Sequence, residues 1–450
     1  MLKKLERVIF YLLIFAVPVQ SRLILHEWTQ PFNQWTSAYL YGTDILLAAI
    51  FIFWLVRNLR AATISNLKLL ISKQIPNPKS RILNSPAFWL TVFFVVSAIS
   101  IFNSRITGLS LYQLLKLAEF IGFFFYLKSN LGKTFHFRQV LVAIITSGFL
   151  QAIIGIVQYA KQGSAGLGLL GESPLSVNAT GVAVFIADGG KYLRAYGTTP
   201  HPNILAAWLF VAIFAFYYFY IYRLSGPSKF DFNKWGPGIY AVILLGFLFT
   251  FSRVIVGLWA LGILIRFLLV FFKNNFSQNL AVIRRQVLVV SLVSAIVCGI
   301  FALLYWPQVQ SRIYISAREE AVAQRVFYNK IAESVATSHP LLGVGIGQFV
   351  PNFISKFKRL PPTAYQPVHN FYLLVASETG FIGLGAFILF LFFTFWQFIR
   401  QADFKKLYTF SFLIFVLSFL LVGLFDHFLW TSQQGNLVFW MTLALLAKPA

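Results

Sequence analysis

The chain has 450 residues, of which 58% are hydrophobic and 11% charged, whereas a soluble domain carries roughly 25% charged residues. That balance excludes a soluble globular protein and points to an all-α integral membrane protein, a single polytopic domain over residues 1–450. The net charge of +24 does not argue for nucleic acid, because the basic residues fall in short clusters between apolar runs, as cytoplasmic loops do.

A span needs about 20 apolar residues, and such runs occur near 8–25, 38–56, 86–102, 109–127, 139–160, 203–222, 237–252, 254–272, 286–306, 370–399, 408–426 and 430–447, about twelve in all. The N-terminal run resembles a signal peptide but lacks a small-x-small cleavage site, so it is read as an uncleaved first span. Cys298 sits inside an apolar run and is expected only to pack. Residues 237–272 would make one helix about 54 Å long against a hydrocarbon core of about 30 Å. Basic clusters on both flanks (Arg223, Lys229 and Lys234; Lys273, Arg284 and Arg285) belong on one side, which predicts two helices turning near Ser252 and Arg253.

Lys3, Lys4 and Arg7, the 57–83 loop (Arg57, Arg60, Lys68, Lys73, Lys79, Arg81), Lys128, Lys133 and Arg138, and Arg400, Lys405 and Lys406 fall on that same cytoplasmic side. Both termini are then inside. Two long segments lie outside: 161–202, and 307–369 between the ninth and tenth spans, the latter with an amphipathic helix over Arg325 to Ser338.

The outer segments hold the candidate chemistry. In "YLRAYGTTPHPNILAAWL", Pro202 starts a helix, His201 precedes it, Asn203 follows, and Arg194 lies upstream. Arg253 sits between two spans, where a cation needs water, a headgroup or an anionic partner. A guanidinium holds phosphate oxygens bidentately, yet an interfacial arginine that snorkels fits the same pattern. Arg325, His339 and the glycine run of "SHPLLGVGIGQF" follow. Glycine-run N–H groups can approach an anion, although a plain turn is equally consistent. His369 and Asn370 stand at the mouth of the next helix in "QPVHNFYLLVASETG". A rim histidine is often structural, but an imidazole there is also the natural general base near neutral pH. On a helix of 100° per residue, Glu378 should not share the face of His369. Asp426, in "FDHFLWTSQQGN", either caps the next helix or pairs with an arginine or His369. No cluster of carboxylates has metal-ligand spacing, so no metal and no cofactor is expected.

In order along the chain, "RAYGTTPHPNILA", "FSR", "SHPLLGVGIGQF" and "HNFYLLVASETGFIGL" resemble the O-antigen ligase and polymerase superfamily over residues 190–400, and "DHFLWTSQQGNLVFW" resembles its last span pair. The resemblance implies a glycosyltransferase fold of the C type (GT-C) in the plasma (inner) membrane, with its site on the extracytoplasmic face. It implies a donor glycan on undecaprenyl diphosphate and an acceptor hydroxyl on a glycan, a lipid such as lipid A–core, or a protein. The reaction would be metal-independent and inverting. Arg194, Arg253 and Arg325 match the family's arginines and His369 its histidine base. Asp426 matches a more variable acidic position, and His201, Asn203, His339 and Asn370 are supporting candidates. Polymerase and protein O-oligosaccharyltransferase activities belong to the same superfamily. A bicarbonate or lipid-glycan transporter is a competing class, but no internal repeat supports it. A membrane scaffold, whose outer arginines and histidine would tolerate substitution, is another.

Overall fold

The computed structural model describes residues 2–65, 83–221, 232–272, 280–314 and 320–447. Lys68, Lys73, Lys79, Arg81, Arg223, Lys229 and Lys273, used above to assign sides, lie outside them. The described chain is mostly helical: α1 Leu2–Ala16, α2 Gly42–Ser65, α3 Pro86–Ser100, α4 Thr107–Asn130, α5 Phe137–Lys161, α6 Pro202–Ile221, α7 Phe232–Leu248, α8 Arg253–Phe272 and α9 Leu280–Leu304. After these come α10 Trp306–Ile313, α11 Glu320–Ser338, α12 Phe349–Lys356, α13 Phe371–Gln401, α14 Leu407–Val422, α15 Phe428–Thr431 and α16 Gln433–Leu446. Among the described residues, eight helices are long and apolar enough to cross a membrane, and Lys234–Leu248 and Leu407–Val422 are shorter apolar helices.

Two elements depart from an all-helical reading. The first apolar run stops being helical at Ala16, because Pro18 cannot continue a helix. Its tail becomes β1 Arg22–Glu27, paired antiparallel with β2 Ser37–Tyr41. A second hairpin, β3 Val184–Ala187 with β4 Gly190–Leu193, forms in the segment before α6. The long 237–272 run breaks as its flanking charges require, between Leu248 and Arg253.

Helix α6 is the centre of the bundle. Its sequence is apolar on every side, which suits a helix with no polar surface to face, and nearly all its residues are buried. It packs against α5 and α7 and touches α8, α14 and α16. At one end of the bundle Arg57 bonds Glu6 at 2.9 Å and Thr134 at 2.7 Å, while Arg7 donates to the Thr134 carbonyl at 2.8 Å. Asp44 lies 13 residues before Arg57 on the same helix, about 20 Å along its axis and therefore at the opposite end. The starts of α4, α6, α8, α13 and α16 gather at that opposite end.

Helix α13 is interrupted. Gly380 takes φ 70° and ψ 179° inside it. The loop after α11 docks into the break: Val344 N–H bonds the Ser377 carbonyl at 3.0 Å, Gly345 N–H bonds the Glu378 carbonyl at 2.9 Å, and Phe381 N–H bonds the Pro340 carbonyl at 2.7 Å. A Cβ on Gly380 would lie 2.2 Å from the Leu341 carbonyl oxygen, so only glycine fits.

Candidate active site

The ends of the helices enclose a cavity of about 1020 Å³. Arg194, Arg253, Arg325, His201, Asn203, His369 and Asp426 all line it, although they span more than half of the sequence. It is built from the turn between α7 and α8 outward. That turn must leave the helix carbonyls of α7 without intrahelical partners. Arg194 supplies one partner, donating from Nε to the Thr250 carbonyl at 2.7 Å, and Ala195 N–H bonds the Phe249 carbonyl at 3.0 Å. A cation is favourable at a helix C-terminus, which helps to explain an arginine at this place. Phe251, in the same turn, is held at φ 46°, a left-handed conformation that a bulky residue adopts only under surrounding constraint. Its ring is packed between Phe185 and Phe301.

From Arg194 a chain of polar contacts runs to His369. Arg194 Nη2 donates to Asn203 Oδ1 at 2.6 Å, and Asn203 Nδ2 donates to Asp426 Oδ2 at 2.7 Å. Asp426 Oδ1 accepts the His427 N–H at 2.8 Å and faces His369 Nδ1 at 3.9 Å, longer than a hydrogen bond. His369 Nδ1 has no hydrogen-bond partner, and the side chain keeps 24% of its surface exposed. Asp426 is thus not a helix cap; it is the junction between Asn203 and His369. Burial alone would raise the Asp426 carboxyl, but the facing imidazoles of His369, His427 and His201 outweigh it and hold the group well below its usual range. Burial pushes His427 and His201 down to about 3, aided by His369 for the first and Arg194 for the second, so both are neutral at pH 7. Burial and then the charge of Arg312 bring Arg194 down to about 9, which still leaves it charged at neutral pH.

Arg253 donates to the Ser311 carbonyl at 3.4 Å, and Arg312 reaches the Phe251 carbonyl at 3.5 Å, so α10 is laced to the turn by two guanidinium groups. Arg312 also lines the cavity. With Arg325 from α11, four arginines from four separate segments line one cavity. Sequence reasoning missed Arg312, although it lies in the outer loop among the same kind of residues as Arg325. It also missed His427, whose Nδ1 is 2.7 Å from Thr431 Oγ1 and whose ring lies 5.0 Å from that of His369.

The structure places four further features of the sequence. His339 is exposed at the far end of α11, 14 residues beyond Arg325 and about 21 Å along the helix, and does not line the cavity. Asn370 caps α13, accepting from Tyr372 N–H at 3.0 Å and Leu373 N–H at 3.1 Å, the capping role that a residue at the mouth of this helix is expected to take. The N–H groups of the glycine run are taken up within the chain: Gly343 N–H bonds the His339 carbonyl at 3.0 Å, Gly345 N–H bonds the Glu378 carbonyl at 2.9 Å, and Gly347 N–H is turned to the Glu378 carboxylate. Glu378 does line the cavity together with His369. The 100° wheel does not relate them, since His369 precedes the helix, which begins at Phe371.

His369, Asp426 and His427 offer ligand atoms within 4.8 Å of one another, a set able to hold a metal ion. Its surroundings oppose that use: both Asp426 oxygens already accept hydrogen bonds, and the same cavity is lined by four guanidinium groups that would repel a divalent cation.

Fold and site together define a multi-pass α-helical membrane protein with an arginine- and histidine-lined cavity at one end of its bundle. Residues 238–388 match the family model described as O-antigen ligase, and over them the chain carries the domain of the O-antigen ligase and polymerase superfamily. The match runs from α7 into α13 and contains Arg253, Arg325 and His369. The family implies a glycosyltransferase-like ligase or polymerase activity, with a lipid-linked glycan and an acceptor as partners in general. No curated protein matches the chain.

Proposed function

We propose that the protein transfers a glycan from undecaprenyl diphosphate to an acceptor hydroxyl at the extracytoplasmic face of the plasma membrane. The observation that carries this reading is the Arg194–Asn203–Asp426–His369 chain beside Arg253, Arg312 and Arg325 in one cavity. In this reading Asp426 orients His369 with its proton on Nδ1, leaving Nε2 to accept the hydroxyl proton. The acceptor oxygen forms a bond to the anomeric carbon as the bond to the diphosphate breaks. The electron pair leaves on the diphosphate, whose growing charge Arg253 and Arg325 stabilise while Arg194 closes the wall from behind. One in-line displacement inverts the anomeric centre, and arginines replace the metal that many diphosphate sites use.

The reading includes a GT-C architecture of twelve spans, the shorter helices α1, α7, α14 and α16 completing the eight longer ones, with both termini cytoplasmic. The end of the bundle that holds Arg7 and Arg57 is then inside and the cavity outside, as the clustering of basic residues favours. A polysaccharide polymerase or protein O-oligosaccharyltransferase would use the same machinery. A transporter is disfavoured because the two halves of the sequence show no internal repeat.

The test is transfer by the purified protein in lipid nanodiscs, with a defined undecaprenyl-diphosphate glycan and a panel of acceptors. His369→Ala should abolish product while the protein stays folded and binds donor. Full activity in that variant would remove His369 as the base.

A further inference from the structure

A second hollow, of about 620 Å³, opens at the other end of the bundle, between the start of α3 and the ends of α4 and α13. Lys128, which lines it, lies two residues before Asn130, the acceptor of Arg57, so the hollow belongs to the Arg57 end. Lys128 and Arg400 supply its charge, and among the described residues no carboxylate lines it. Neither cation forms an ion pair among the described residues. An apolar stripe on α13 runs into the hollow. Ile388, Phe392, Trp396 and Arg400 follow one another at four-residue spacing, which puts them on one face of the helix, and all four are exposed. The Phe392 and Trp396 rings stack at 6.2 Å, and the Arg400 guanidinium sits 4.8 Å from the Trp396 ring centre. Beside them Trp89 of α3 and Phe393 of α13 stack at 6.5 Å and join the two helices.

We infer that this hollow binds an anionic phospholipid, with the headgroup phosphate between Lys128 and Arg400 and one acyl chain along the α13 stripe. The inference rests on the membrane class of the protein and not on the transferase reading. An ammonium and a guanidinium with no carboxylate beside them favour an anion, and the guanidinium fork fits phosphate oxygens. Basic pockets between membrane helices hold anionic headgroups for this reason. The stripe supplies the other half of the ligand. From Ile388 to Arg400 it covers about 18 Å of helix, against about 15 Å for half of a hydrocarbon core. A chain lying on it therefore reaches the middle of the bilayer while its phosphate stays at the helix end, where aromatic side chains mark the headgroup level. A soluble phosphate would use the two cations and leave the stripe without a role, whereas a phospholipid uses both.

The test is native mass spectrometry of the full-length protein in detergent, titrated with phosphatidylglycerol and with phosphatidylcholine of matched chains. The first phosphatidylglycerol should bind about tenfold or more tightly than phosphatidylcholine, the scale of two cations acting on one anionic lipid. Lys128→Gln combined with Arg400→Gln should remove that preference. Lys3→Gln combined with Lys4→Gln takes the same charge from the Arg7 end of α1 and should keep it. Arg400→Gln alone, a change at an exposed side chain, should lower the preference by about threefold or more, so the test survives a double variant that fails to fold. Trp396→Ala should weaken both lipids, and inorganic phosphate in excess should not displace phosphatidylglycerol. The inference is overturned by equal binding of the two lipids, or by a preference that survives the changes at Lys128 and Arg400 or vanishes with those at Lys3 and Lys4. Binding indifferent to Trp396→Ala, or displacement by phosphate alone, overturns it as well, because the site would then read a soluble anion and not a lipid.

Discussion

Asn203 donates to Asp426 at 2.7 Å across 223 residues of sequence. This contact joins the start of α6 to the turn after α14, and through it the buried Arg194 is tied to the carboxylate that faces His369. Replacing Asn203 with Ala removes the acceptor for Arg194 and the donor for Asp426 together. Transfer should fall by about 10²-fold in kcat, the scale of a lost general-base orientation, with acceptor KM little changed. Asp426→Asn should fall similarly. An unchanged kcat for both would show that the chain from Arg194 to His369 is scaffold only.

Arg253 separates the phosphate reading from a structural one. Arg253→Lys keeps the charge but not the planar fork, so donor KM should rise by about tenfold or more. Arg312→Lys should show the same direction if the fourth arginine shares the load. Donor titration at saturating acceptor measures both.

Acid should destabilise this end of the bundle. His201 and His427 are held at about 3, below the ordinary 6.5, so the unfolded chain binds more protons between those values. Their contribution is fully present above pH 6.5 and is lost as the pH falls toward 3, with a slope of at most about 1.4 kcal/mol per pH unit for each imidazole. Asp426, also depressed, adds a further loss below about pH 4. Thermal unfolding in detergent from pH 7 to pH 4 should show a falling midpoint, and His427→Gln should flatten the curve. A midpoint that does not change with acid would contradict the burial argument.

Chelation should not matter. If His369 acts as the base and Asp426 as its orienting partner, rather than both joining His427 as metal ligands, transfer should survive exhaustive EDTA treatment, and added divalent cations should not raise it. Loss with EDTA and recovery with one metal would reverse that assignment.

Gly380 is the hinge on which the cavity wall depends. Gly380→Ala forces a Cβ against the Leu341 carbonyl in a left-handed conformation, so the variant should lose roughly 2 kcal/mol or more of stability. The effect should read as a lower unfolding midpoint together with weakened activity, since the displaced glycine loop also supports Glu378.

The membrane class, the broken helix at 249–252 and the candidacy of Arg194, Arg253, Arg325 and His369, which all line the cavity, were legible in the sequence. Hydropathy and basic clusters act locally, and each motif carries its residue on one short segment. The structure alone decided which of those residues meet. Asn203 and Asp426 are distant in sequence, and nothing local says that they bond. His339 and His201 were both supporting candidates, yet helix α11 carries His339 about 21 Å from Arg325. The glycine run was open between an anion loop and a plain turn until the interrupted α13 took up the N–H groups of Val344 and Gly345. Composition and periodicity determined that this chain would be a helical bundle in a membrane. Long-range packing around α6 decided that one end would hold an arginine- and histidine-lined cavity, because side chains from separate segments share a site only when helix ends are brought together.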